Sequence, residues 1–125
     1  MIVMYTSAGC SSCRKAKQYM KDNHLNFIEK DIERSNLNEK EIRYLLSRSD
    51  NGSDDIISPR SKVVKDGKID LDSMNLNELV RFIIQNPTVL KRPIIIDNHD
   101  MVTGYDEEQI SIFKKNSQRR LSLAV

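Results

Sequence analysis

The chain has 125 residues, of which 38% are hydrophobic and 30% charged. That suits one compact domain with its own core and excludes a disordered or membrane-spanning chain, because its longest apolar runs are a few residues against the roughly 20 a bilayer requires. A formal charge of +2 is too small for a protein that binds nucleic acid on its own. The opening "MIVMYTSAGC" lacks the basic start and long apolar stretch of a secretory signal, so the expected location is the cytoplasm, where thiols stay reduced.

"MIVMY" is a short apolar run ending at small polar residues, the pattern of a buried strand followed by a turn. A helix should follow, capped by Ser11 or Ser12, with Cys13, Ala16, Tyr19 and Met20 at helical spacing. "NFIEKDI" alternates like a second strand. The three elements form a β-α-β unit, whose strands should run parallel with a right-handed crossover. A helical middle comes next: Asn38 with Glu41 three residues on resembles a capping box, and Ile42, Leu45 and Leu46 supply an apolar stripe. "SDNGSDDIISPRS" is dense in turn formers and reads as a surface loop or short irregular connection, with Gly52 a turn glycine. A second helix is predicted from Asn75, with Leu76, Leu79, Val80, Ile83 and Ile84 on its apolar face and Pro87 closing it.

"RPIIID" reads as a third strand with Pro93 at its first position, where a missing N–H does least harm, and "MVTG" as its hairpin partner. "YDEEQISIFKK" is a closing helix, acidic at its start and basic at its end, followed by a basic tail over 114–125 that should be frayed and solvated. The order predicts an α/β thioredoxin-like fold, β-α-β and β-β-α. Its core should lie at about 1–32 and 88–113, with a helical insertion at about 33–87.

Cys10 and Cys13 stand at the junction of the first strand and helix, the context that raises a C-x-x-C motif above chance. A cysteine just ahead of a helix faces unpaired backbone N–H groups and the positive end of the dipole, which stabilise a thiolate; Cys10 has that place, and Cys13 is the natural resolving thiol. Zinc normally takes four ligands, and His24 and His99 show no zinc-like spacing to this pair. A structural staple or two buried cysteines acting as small hydrophobes remain as alternatives. Arg92, just before the third strand, is placed to approach Cys10 and add positive charge or hold an anion, and Arg60 in the central loop is a weaker candidate for the same role.

"YTSAGCSSCRKA", "NGSDDIISPRSK", "MNLNELVRFIIQNP" and "LKRPIIID" resemble, in the same order, the Spx regulators of the arsenate reductase-like (ArsC/Spx) family. The resemblance runs from Met1 to about Phe113. It implies a redox-sensing global regulator of transcription that binds the C-terminal domain of the RNA polymerase α subunit, blocks some activator contacts and turns on thiol-stress genes, reaching DNA only through polymerase. It implies a redox-active disulfide at Cys10 and Cys13, Gly52 at the polymerase interface, and Arg60 and Arg92 in the redox-responsive network. It also implies control by the ClpXP protease through the C-terminus, to which "RRLSLAV" is only loosely similar. No cofactor, metal or membrane is implied. The rival is arsenate reduction by Cys10. That chemistry uses three arginines; Arg60 and Arg92 match two, while "MVTGYDEE" around Gly104 offers no third. A site for a multiply charged oxyanion that lacks one cationic donor loses orders of magnitude in rate, so the regulator is the expected class.

Overall fold

The computed structural model describes residues 1–67 and 69–124, with side chains as far as Arg119. The chain divides into two compact units, one built from residues 1–31 with those from Arg92 onward, the other from Ile32–Lys91.

The first unit is a four-stranded sheet in the order β2-β1-β3-β4. β1 (Ile2–Thr6) pairs in parallel with β2 (Phe27–Asp31), Met4 opposite Glu29, through the helix α1 (Ser11–Asp22). β3 (Ile94–Ile96) lies antiparallel to β1, and β4 (Met101–Thr103) antiparallel to β3. The central strands carry near-continuous apolar runs because both faces are covered: Met4, Ile94 and Ile95 are fully buried. Ile2, Met4, Ala16, Met20, Leu25, Ile95, Ile110 and Phe113 form one core, joining β1, α1, β3 and the last helix, α5 (Glu107–Ala124). This is the thioredoxin-like arrangement. The peptide bond between Arg92 and Pro93 is cis.

α5 corrects one expectation. The predicted helix stops at Lys115 and gives way to a frayed tail, whereas the helix continues to Ala124. No breaker stands in "KKNSQRRLSLA", and arginine, lysine, glutamine, leucine and alanine are all good helix formers. The run "RRLSLAV", expected to carry the protease signal, has side chains that from Arg120 lie outside the described residues.

In the turn between β3 and β4, Asp97 is 8% exposed. One carboxylate oxygen accepts the backbone N–H groups of His99 (2.8 Å) and Asp100 (2.7 Å), and the other accepts Asn116 Nδ2 at 3.0 Å, fastening α5 to the hairpin. Burial disfavours the charge, but these hydrogen bonds outweigh it and hold the carboxyl below its ordinary 3.8. A depressed carboxyl contributes stability that is present above pH 3.8 and lost as pH falls through the folded value. Asp97→Asn is therefore expected to lose about 1–3 kcal/mol at neutral pH and to flatten the acid limb of a stability-against-pH curve. An acid limb as steep as that of the wild type in chemical denaturation would show that Asp97 does not carry the linkage.

The second unit is helical: α2 (Glu39–Ser47), α3 (Lys62–Lys65) and α4 (Leu76–Gln85), joined by 3-10 turns at Gly52–Asp55, Leu71–Ser73 and Pro87–Val89. Asn38 caps α2, its side chain accepting the Glu41 N–H at 2.8 Å. Asn75 caps α4 with a reciprocal capping box to Glu78. The apolar face of α4 is rotated from the predicted one: Val80, Phe82 and Ile83 are buried, while Leu76 and Ile84 are 52% and 40% exposed. α2 packs against α4, and Arg43 of α2 donates a hydrogen bond to Asn77 of α4. The stretch read as a surface loop or short irregular connection holds two core residues, Ile56 and Ile57, the latter bridged to Leu90.

Candidate functional site

β1 ends at Thr6, and the chain turns through Gly9, whose φ of +72° is a left-handed conformation that an L side chain resists. The turn delivers Cys10 to the N-cap of α1, in place of the predicted Ser11 or Ser12. Its extended backbone (φ −91°, ψ 111°) lets the Sγ fold back over the first turn and accept the Cys13 N–H at 3.2 Å. A sulfur thus does the work usually left to a serine or aspartate oxygen.

The two thiols have different surroundings. Cys10 is half-buried, and Cys13 is 1% exposed against the core. Burial, and then the neighbouring Cys10 thiol, push the Cys13 thiol up to about 12, while the Arg92 charge pulls the other way. The geometry thus separates a reachable sulfur from a protonated one held behind it. Arg92 lies near enough to Cys13 for its charge to act weakly on that thiol. Gly52 and Arg60 belong to the second unit. Gly52 is exposed, with φ +64° and no atom within 4 Å of where a Cβ would stand. Arg60 is exposed, its backbone N–H donating to Ser58 Oγ at 3.3 Å.

A cleft of about 250 Å³ opens beside the cysteines, with Thr6, Arg14, Lys17 and Glu29 in its walls. Thr6 Oγ1 donates to Glu29 Oε2 at 2.7 Å, and Lys17 Nζ reaches the same oxygen at 3.1 Å. The Thr6 hydrogen bond first, and Lys17 after it, hold the Glu29 carboxyl below its ordinary value. The sequence reading missed this network. Its only trace there is a threonine at the end of a buried strand and a lysine one helical turn after Cys13, and neither spacing names Glu29 as the partner. Among the described residues no group of three or more His, Cys, Asp or Glu side chains is arranged to hold a metal ion.

Residues 5–113 match the model of the ArsC family. A protein of Streptococcus pneumoniae named global transcriptional regulator Spx is 42% identical over 98% of this chain and 92% of its own length. Its namesake in Bacillus subtilis is 38% identical over 98% of this chain and 94% of its own. Among solved structures, a putative ArsC family related protein from Bacteroides fragilis superposes with a TM-score of 0.76 at 19% identity, covering 90% of this chain and 96% of that one. A possible arsenate reductase from Streptococcus mutans gives 0.72 at 22% identity, covering 89% and 98%. At such identities these structures speak for the fold alone.

Proposed function

The chain belongs to the Spx group of the ArsC family, and from that premise we propose that it is a redox-sensing regulator of transcription acting through the C-terminal domain of the RNA polymerase α subunit. The observation that carries the redox part is the contact of Cys10 Sγ with the Cys13 N–H at the start of α1. A hydroperoxide takes the electron pair of the Cys10 thiolate, leaving a sulfenic acid and releasing hydroxide or alcohol; Cys13 then attacks that sulfur, forming the disulfide and expelling water. Arg92 steadies negative charge on Cys13. Closing the disulfide removes the N-cap acceptor from α1, and the changed first turn biases the polymerase-binding form. Arg60 belongs to the same responsive network, ClpXP limits the protein's amount, and the cytoplasm is its location. Among the described residues no helix is long and apolar enough to cross a membrane.

Gly52 is the proposed point of closest approach to polymerase. Its exposure, and the open space where a side chain would stand, suit a partner surface that comes within backbone distance. Gly52→Arg is expected to abolish binding of the isolated α domain in titration calorimetry, while the fold loses only about 1–2 kcal/mol from forcing a side chain into the left-handed region. Wild-type affinity in that variant would remove Gly52 from the interface. Failure of the wild-type protein to bind the α domain, reduced or oxidised, would overturn the regulator reading itself.

A further inference from the structure

We propose that the second half of α5 is a contact surface for the phosphate backbone of DNA. Residues 114–125 contain four Lys and Arg and no Asp or Glu, leaving sixteen cations against eighteen acids in residues 1–113. The positive net charge of the chain therefore resides in this one helix, and the rest is slightly acidic. Because α5 runs unbroken to Ala124, the cations stand on an ordered rod rather than along a frayed tail.

Lys114, Lys115 and Arg119 are all exposed. At 3.6 residues per turn they fall within an arc of about 140°, and they span about 7 Å along the axis, a distance that covers two to three phosphates of one DNA strand. Among the described residues none of the three is joined to a carboxylate by a hydrogen bond or ion pair. Asp97 and Asp100 each accept a hydrogen bond from Asn116, about 60° around the helix from Arg119, while Glu107 and Glu108 share the cations' side of α5 but stand about 9–10 Å before Lys114 along the axis.

An anionic membrane suits this face less well, because a helix that lies in a bilayer surface needs an exposed apolar stripe beside its cations. Among the described residues of α5, Ile110 and Phe113 are fully buried and Ile112 is packed against the same core, so none of them supplies such a stripe. The choice of DNA over an acidic protein rests on the reading of the chain as a regulator at promoters. Three phosphate contacts are too few to hold DNA at physiological salt. They add affinity where polymerase already keeps the duplex at high effective concentration.

The test is fluorescence anisotropy of a duplex of arbitrary sequence, titrated with the full chain at low and rising salt. The wild type is expected to bind at low salt, with a log–log salt slope of about −3 at one released counterion per phosphate. The variant Lys114→Gln/Lys115→Gln/Arg119→Gln should lose about 2–3 of that slope, and Lys114→Arg/Lys115→Arg/Arg119→Lys should keep it, with helical circular dichroism unchanged in both. No duplex binding by the wild type, an unaltered slope in the glutamine variant, or binding to anionic vesicles but not to DNA would each overturn the proposal. Calorimetry with the polymerase α domain in the absence of DNA separates the two readings: its failure counts against the regulator, while the duplex titration decides α5 either way.

Discussion

Replacing Cys13 by alanine is expected to abolish the response to oxidant while the reduced protein keeps its affinity for the polymerase α domain. With its thiol pushed well above the ordinary cysteine range by burial and the neighbouring Cys10 thiol, Cys13 stays almost wholly protonated at neutral pH, and the thiolate is the attacking species. Oxidation therefore begins at the more accessible Cys10, and Cys13 acts only on a Cys10 already oxidised. Without Cys13 the sulfenic acid on Cys10 has no internal partner, so it should persist and be trapped by a dimedone-type reagent, where the wild type closes to a disulfide two hydrogens lighter. In the wild type the closure rate should climb about tenfold per pH unit through the neutral and mildly alkaline range, because it follows the Cys13 thiolate fraction below its pKa. Alanine is preferred to serine here, since a hydroxyl in a site only 1% exposed adds the cost of an unsatisfied polar group. A promoter assay in which Cys13→Ala responds to oxidant like the wild type would sink the disulfide switch.

Phe113→Ala is expected to be the most destabilising single truncation, at about 3–5 kcal/mol. Phe113 is fully buried and meets β1, α1 and β3 in one core with Met4, Met20 and Ile95. The cavity it leaves is walled by sheet and helix, which cannot collapse into it without moving backbone. Against a total stability of about 5–15 kcal/mol for a domain of this kind, that loss is a large part of the reserve, and the midpoint of thermal unfolding should fall by roughly 10–20 °C. Ile84→Ala, at a position 40% exposed, serves as the contrast and should stay within about 0.5 kcal/mol. A loss below about 1 kcal/mol for Phe113→Ala in denaturant titration would mean that α5 is not held through this core.

The strands and the helices α1, α2 and α4 were legible because each rests on a local signal. "MIVMY" and "PIII" are apolar runs too short for a helix, and Asn38 and Asn75 each precede by three residues the glutamate whose N–H they accept. What failed was whatever depended on a neighbour. Leu76 and Ile84 fit helical periodicity as well as Phe82 does, and only burial in the packed unit decided which side turned inward. The length of α5 was misread because a basic run without apolar partners looks the same whether it frays or continues. Ile56 and Ile57 were hidden among turn residues, since a loop anchored by two isoleucines shows no period at all.

For the site, the sequence by itself determined the C-x-x-C motif and its seat between strand and helix, because these follow from the order of β1 and α1 along the chain. It distinguished the two thiols by their places at the helix start, but not by how deeply each is buried. The depth at which Cys13 is buried and the Thr6–Glu29–Lys17 network beside the pair exist only once the elements have packed, with β2, a strand distant in sequence, against β1. The tertiary structure alone decided these, because desolvation and hydrogen-bond geometry are properties of what surrounds a residue in space, and a linear sequence specifies the neighbours along the chain but not those across it.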